Sequence, residues 1–230
     1  FEYLPVIAAL NVLPGNFRFK ALFPFLYVDR RGAPENKQGY FSTLEKSAMI
    51  RALAQWSKHT EDRVIISEVN WPVKHTTIWS PIGCPYETPN WRRIQPGESD
   101  EDYASYMLRF LAITLCSGHV EQVFWWRLSA HGYGLVDDRN QFTPRPAFYA
   151  LANFLKLLGN ATFQKKWLTD TSIYLMEFST TNQRILMGWT TQPTPQPLTP
   201  SVTPIQIYNA YGETVTDSSL TSSPKYFIVS

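Results

Sequence analysis

Hydrophobic positions along the chain follow two periods, one in each half. From Phe17 to Val28 an apolar, aromatic run has the density of a buried strand. Ser42-Thr43-Leu44-Glu45 has the form of a capping box, in which a serine and a glutamate three residues on satisfy each other's free backbone N–H groups. It predicts a helix whose apolar positions Leu44, Ala48, Met49, Leu53 and Trp56 recur at helical spacing. Val64-Ile65-Ile66 is β-branched and unbroken, runs on through Ser67-Glu68-Val69-Asn70 and stops at Pro72, which predicts a short strand buried on both faces. A long loop over 72–100 ends at Ser99 and Asp102, at capping spacing, and Tyr103, Tyr106, Met107, Phe110, Leu111 and Leu115 then mark an amphipathic helix. Val123-Phe124-Trp125-Trp126-Arg127-Leu128 reads as a third strand. Pro146 and Gly159 bracket a further helix with Phe148, Leu151, Leu155 and Leu158 on one face. Strand and helix alternate three times, the rhythm of a parallel α/β sheet.

After Gly159 the period shortens. Ser172–Phe178, Arg184–Trp189, Pro204–Ala210 and Tyr226–Val229 are short alternating or β-branched runs, which predict a small antiparallel β domain. The chain is therefore divided into an α/β part over 1–158 and a β part over 159–230. Gln192–Pro204 holds five of the 17 prolines and is expected to bridge two strands in extended conformation rather than to link domains. No internal repeat is present.

Composition narrows the class. A chain of 230 residues can bury a sizeable core, and 44% hydrophobic against 17% charged residues, with 14 Phe, 12 Tyr and 8 Trp, is globular and rich in aromatics. Its 21 Lys and Arg are scattered among 19 Asp and Glu, so the electrostatic footprint of a nucleic-acid binder is missing. Cys84 and Cys116 form no C-x-x-C and have no histidine at ligand spacing, which predicts neither a zinc site nor a disulfide framework. The apolar runs near Phe23–Val28 and Leu151–Leu158 are far shorter than the roughly 20 residues that span a bilayer, so no membrane span is expected. Phe1-Glu2-Tyr3-Leu4 lacks both a methionine and the charged and apolar regions of a secretion signal, and is expected to be a processing boundary or the start of a piece of something longer.

The sharpest chemical feature is Ser67-Glu68-Val69-Asn70-Trp71-Pro72. Ligands of parallel α/β domains meet the carboxyl ends of the strands. By the period of two, Ile66, Glu68 and Asn70 share a side, so Glu68 would project toward a ligand; the alternative is a glutamate satisfied by a neighbouring Arg or Lys. Trp125-Trp126-Arg127 puts two indoles and a guanidinium at the end of the next strand. One tryptophan of such a pair is expected in the core, and the other on the opposite side, as a floor for the apolar face of a sugar ring. The loop adds Trp71, Trp79, Tyr86 and Trp91. Aromatics around a carboxylate suit carbohydrate better than phosphate, for which no Gly-rich loop enters a helix.

These residues carry a family resemblance. The strand-end Glu68, the later aromatic strand, and Gly134-Leu135-Val136-Asp137 leading into Pro144–Leu151 resemble the C-terminal half of a clan-A retaining glycoside hydrolase, a (β/α)8 TIM barrel often followed by a small β-sandwich. More narrowly, Tyr27–Asn36 together with Glu68–Pro72 and Trp125–Arg127 resembles hydrolase-like proteins of bacterial cell-envelope polysaccharide gene clusters. The resemblance covers nearly the whole chain and implies that its strands are six, seven and eight of the barrel. It implies that Glu68 is the nucleophile, that Tyr27 hydrogen-bonds it, and that Trp126 lies under the bound sugar. From the strand-end reading itself, Asn70, Trp71, Trp125 and Arg127 are expected as further carbohydrate contacts. Strand six of these enzymes often carries His-x-Tyr; here it is Phe25-Leu26-Tyr27, which changes the expected sugar contacts.

Retaining hydrolysis needs two carboxyl groups about 5–5.5 Å apart and no cofactor or metal. In these barrels the acid/base glutamate ends strand four, which this chain does not contain, and Glu2, Glu35 and Glu61 do not end apolar strand runs. The chain therefore reads as a truncated hydrolase whose missing N-terminal barrel half comes from the same or another polypeptide. The competing reading is a non-catalytic carbohydrate-binding or scaffold protein. Ser117-Gly118-His119 implies no triad and no G-x-S-x-G is present; His59, His75, His119 and His131 are scattered and read as surface or capping residues. Asp137-Asp138 reads as a solvated turn or, less simply, a cation site. Asn160-Ala161-Thr162 fits the glycosylation pattern, and Arg30-Arg31 could either hold an anionic sugar or lie in solvent.

Overall fold

A computed structural model of the chain describes residues 3–28, 32–37, 40–76, 97–167, 171–199 and 202–229. They form a mixed helix-and-sheet structure of two compact units. The first contains residues up to Trp71 together with Phe110–Arg127; the second contains residues 72–76 and 97–109 and then Leu128 onward.

In the first unit, helix α1 (Tyr3–Asn11) precedes an extended segment, helix α2 (Thr43–Trp56) and strand β1 (Ile65–Val69), and the unit closes with strand β2 (Gln122–Trp125). β1 and β2 are parallel, with Ile66 opposite Val123 and Val69 opposite Trp125. On the other side of β1 the segment from Phe19 to Leu26 runs parallel through the isolated pairings Phe19 with Thr60, Leu22 with Val64 and Phe25 with Glu68. β1 is thus the middle of three parallel segments, Val64, Ile66 and Val69 are fully buried, and the predicted two-faced burial is found. The outer segment differs from the buried strand expected of Phe17–Val28. Its ladder is interrupted, as Pro24 has no N–H to give, and although Leu26 and Val28 are buried, Phe17, Phe19, Phe23 and Phe25 are exposed.

The helices form where the caps place them. In α2 the Ser42 N–H donates to Glu45 Oε2 at 2.6 Å and the Glu45 N–H to Ser42 Oγ at 3.4 Å, the reciprocal box. Its buried face is Thr43, Lys46, Ser47, Ile50, Leu53 and Ala54, while Leu44 and Trp56 are exposed. The expected stripe shares only Leu53 with it, because the buried face is rotated toward Lys46, Ile50 and Ala54, leaving Leu44 and Trp56 outside. Helix α3 (Asp100–Leu115) starts at Ser99, whose Oγ accepts from the Asp102 N–H at 3.0 Å. Rather than amphipathic it is buried nearly all round, from Tyr103 and Ala104 through Met107, Leu108 and Phe110 to Ile113.

In the second unit a short antiparallel pair, β3 (Val136–Asp137) and β4 (Thr143–Pro144), leads into helix α4 (Pro146–Leu158), with Pro146 in its first turn and Gly159 as C-cap. The face expected to be buried is displaced in part: Leu158 is buried as expected, together with Ala147, Ala150, Asn153 and Phe154, while Phe148 and Leu155 are exposed. Strands β5 (Thr162–Lys166), β6 (Ile173–Ser179), β7 (Arg184–Thr190), β8 (Gln206–Tyr208) and β9 (Lys225–Val229) form an antiparallel sheet in the order β5-β6-β7-β9-β8. β5 carries too few apolar residues to have been read as a strand. Among the described residues this is one hydrogen-bonded sheet rather than the two of a sandwich. Its core of Ile173, Leu175, Leu186, Ile207, Leu220, Phe227 and Val229 is covered by Trp167, Leu198, Val202 and Val215. Cross-strand rings lock the register: Tyr174 stacks on Trp189 at 5.0 Å and Phe163 meets Phe178 at 5.6 Å. The proline-rich connection joins β7 to β8 within this sheet, as expected. Replacing Ser42 by alanine should lower stability by about 1 kcal/mol, measured as a shift of the urea midpoint at unchanged slope.

Candidate active site

Three parallel segments in succession deliver their carboxyl ends to the same sheet edge. Tyr27 lies two residues past the Phe25–Glu68 pairing, Glu68 lies in the last turn of the pleat of β1, and Trp126 and Arg127 follow β2 directly. The backbone itself ties these ends together: the Leu26 N–H donates to the Glu68 carbonyl at 3.1 Å and the Trp126 N–H to the Val69 carbonyl at 3.2 Å.

On that edge the Tyr27 hydroxyl donates to Glu68 Oε1. The glutamate is half-buried, and among the described residues no lysine or arginine pairs with it. Tyr27, a neutral donor, is thus its side-chain hydrogen-bond partner among the described residues. Glu61, by contrast, is exposed and pairs with Lys20 at 2.6 Å. Glu35 is half-buried, and Glu2 lies outside the described residues.

The tryptophans divide between core and surface. Trp71 was expected among exposed aromatics, but it is fully buried: it stacks on Trp125 at 5.8 Å and 18°, meets Phe110 edge-on at 5.9 Å, and donates its indole N–H to the Gly32 carbonyl at 3.0 Å. Asn70 is likewise fully buried, so both residues stand behind the strand end and offer no surface to a ligand. The aromatic clustering that made Trp71 a candidate is a core packing signal here. Trp125, half-buried, is the inward member of the adjacent pair, and Trp126, 37% exposed, is the outward one. The exposed Arg127 lies over the Trp126 ring with its guanidinium carbon 5.4 Å from the centroid, and the peptide joining the two is cis. The loop aromatics Trp79, Tyr86 and Trp91, together with Arg30, Arg31 and Cys84, lie outside the described residues.

The second unit contains a charged cluster that sequence reading missed. Asp137 is no solvated turn: it is buried, receives the Arg139 N–H at 3.0 Å, contacts His131 Nδ1 at 2.9 Å and accepts from Arg145 Nη2 at 2.9 Å. Arg145 also reaches the His131 carbonyl and Asp100. Burial pushes the Asp137 carboxyl up, but hydrogen bonds from His131 and Arg139 and the charge of Arg145 outweigh it and hold it below its ordinary range. Among the described residues no group of three or more His, Cys, Asp or Glu could hold a metal ion. The only sequence trace of the cluster was a histidine and an aspartate flanking a glycine-rich turn, with an arginine just before a helix-starting proline.

No protein-family profile matches the chain, and no curated protein matches it. Solved structures do. A conserved exported protein from Bacteroides fragilis matches 81% of this chain and 43% of its own, with 9% identity and a TM-score of 0.51. A GH30 endoxylanase from Clostridium papyrosolvens matches 56% of this chain and 39% of its own, with 16% identity and a TM-score of 0.40. A glycoside hydrolase family 30 subfamily 8 xylanase from Clostridium acetobutylicum matches 88% and 46%, with 10% identity and a TM-score of 0.48. The chain spans less than half the length of each, and at these identities the likeness is one of fold alone.

The lowered Asp137 fixes the sign of an acid effect. Its contribution is complete above the ordinary aspartate range near pH 4 and is lost as the pH falls through the lower folded value. Asp137→Asn should cost about 3 kcal/mol at pH 7, by leaving Arg145 buried without its main partner, and should flatten the loss of stability below about pH 4 in urea titrations.

Proposed function

We propose that this chain carries the nucleophile end of a retaining glycoside hydrolase acting on a poly- or oligosaccharide. The observation that carries this reading is the Tyr27–Glu68 hydrogen bond at the end of the central parallel strand, with no cation on the carboxylate among the described residues. In this reading Glu68 attacks the anomeric carbon and displaces the leaving oxygen, forming a glycosyl-enzyme ester through an oxocarbenium-like transition state; water then cleaves the ester. Tyr27 fixes the free oxygen toward the sugar, Trp126 offers an exposed ring as a floor, and Arg127 caps that ring and reaches sugar hydroxyls. Water, not a cofactor, completes the cycle.

The leaving oxygen needs a proton from a second carboxyl group, and among the described residues Glu68 is the carboxylate that ends a parallel strand. We therefore read the parallel segments as strands six to eight of a (β/α)8 barrel, with the remaining strands and the acid/base supplied by further polypeptide of the same or another chain. The exposed Phe17, Phe19, Phe23 and Phe25 on the outer segment support this, because an apolar edge of that kind is ordinarily covered. The same missing acid favours a second reading, a non-catalytic carbohydrate-binding or scaffold protein that keeps the strand-end carboxylate and tryptophan.

A 2-deoxy-2-fluoroglycoside with a dinitrophenolate leaving group needs no acid and separates the two. Mass spectrometry should find one fluoroglycosyl group on the peptide containing Glu68 and none in Glu68→Gln. Tyr27→Phe should slow labelling roughly tenfold, the worth of one hydrogen bond to a charged group. A label that survives in Glu68→Gln ends the nucleophile reading, and saccharide binding without any label transfers the site to the second one.

A further inference from the structure

The second unit contains a cleft of about 530 Å³, within the range of small-molecule sites, lined by Glu101, Pro144, Pro146, Tyr149, Tyr211 and Glu213. Its surface is of two kinds. Two phenol rings and two pyrrolidine rings supply flat apolar faces, and the charged groups are carboxylates. Neither Glu101 nor Glu213 forms an ion pair with any described residue, although Glu213 Oε2 accepts from Asn209 Nδ2 at 2.7 Å. Arg145, which lies between the two prolines, is turned away and committed to Asp137 and Asp100. Tyr211 registers the resulting field: burial first, and then the charges of Glu101, Asp100, Glu213 and Asp102, raise its phenol above its ordinary range.

The cleft wall is built, not incidental. Asn153, buried on α4, donates to the carbonyls of Asn209 and Ala210 at 3.4 and 3.3 Å and so fastens the turn that carries Tyr211 and Glu213. Asn209 Oδ1 accepts from the N–H groups of Tyr211 and Glu213, both at 3.0 Å, and Gly212 takes the left-handed conformation at φ 89° that closes the turn. Any Cβ at Gly212 would meet Asn153 Oδ1 at 2.8 Å. Tyr149, on the first turn of α4, is 53% exposed and meets the Phe148 ring edge-on at 5.7 Å. A negative cleft with aromatic walls suits a cation attached to a ring that has an apolar face.

We infer that this cleft binds an amine-bearing saccharide, with the sugar ring against Tyr149 and Tyr211 and its ammonium group donating to Glu101 and Glu213. The preference for an ammonium comes from the cleft alone; that the amine sits on a sugar rests on the carbohydrate reading of the protein. The ligand is held noncovalently and no bond changes.

Calorimetric titration of the full chain at low salt tests this, with a β-1,4-linked glucosamine trisaccharide, its fully N-acetylated counterpart, and spermidine as a sugar-free amine. The free-amine trisaccharide should bind at least roughly tenfold more tightly than the other two. Glu101→Gln and Glu213→Gln should each weaken it about tenfold, with unchanged melting temperature, and Glu68→Gln should leave it unchanged. Equal affinity for both trisaccharides, no binding, or indifference to both glutamine variants overturns the proposal. Spermidine binding as tightly as the sugar overturns the saccharide assignment. Free-amine binding here without labelling of Glu68 would leave this cleft standing and remove only the hydrolase.

Discussion

The first unit depends on β1 being paired on both sides. Parallel neighbours satisfy both edges of this strand, and side chains from its two faces, Val64, Ile66 and Val69, are wholly enclosed, as is usual for parallel sheets covered on both sides. The same pairing fixes what happens where the strand ends. Parallel neighbours finish at one edge, so the residues that follow three separate strands meet there without any of them being close in sequence. Tyr27 and Glu68 are brought into hydrogen-bond contact in this way, and Trp126 is placed one residue beyond the pairing of Val69 with Trp125.

Behind that edge lies a packed aromatic core. Trp71 continues β1 into a stack with Trp125 and an edge contact with Phe110, and its indole N–H is satisfied by the Gly32 carbonyl. Two of the residues that chemistry first suggested as ligand contacts, Asn70 and Trp71, support the strand end from within. The chemistry left at the edge is a half-buried phenol and carboxylate, Tyr27 and Glu68, and an exposed indole and guanidinium, Trp126 and Arg127.

Much of this was legible in the sequence, for definite reasons. Glu68 could be found because a β-branched run stopped by Pro72 marks a strand end, and the helix caps at Ser42 and Pro146 could be found because capping is local. Which face of each helix is buried was not legible. α2 and α4 turn Leu44, Trp56, Phe148 and Leu155 outward and bury Ile50, Leu53, Phe154 and Leu158 instead, a choice that depends on the neighbours and not on the helix itself. The Asp137 cluster was missed because its members come from a turn, a two-residue strand and a helix cap that only tertiary structure brings together. Tyr27 entered only through resemblance, since nothing in its own neighbourhood indicates that it faces Glu68.

The account stands on the strand-end carboxylate and the indole beside it serving one sugar. The most direct measurement is a crystal structure of Glu68→Gln with a bound oligosaccharide. The account predicts a pyranose ring over Trp126 with its anomeric carbon about 3–3.5 Å from the side chain at position 68 and the Tyr27 hydroxyl still directed at that side chain. A saccharide bound with its reducing carbon turned away from position 68, or a strand edge that stays empty while sugar occupies other sites, would contradict it.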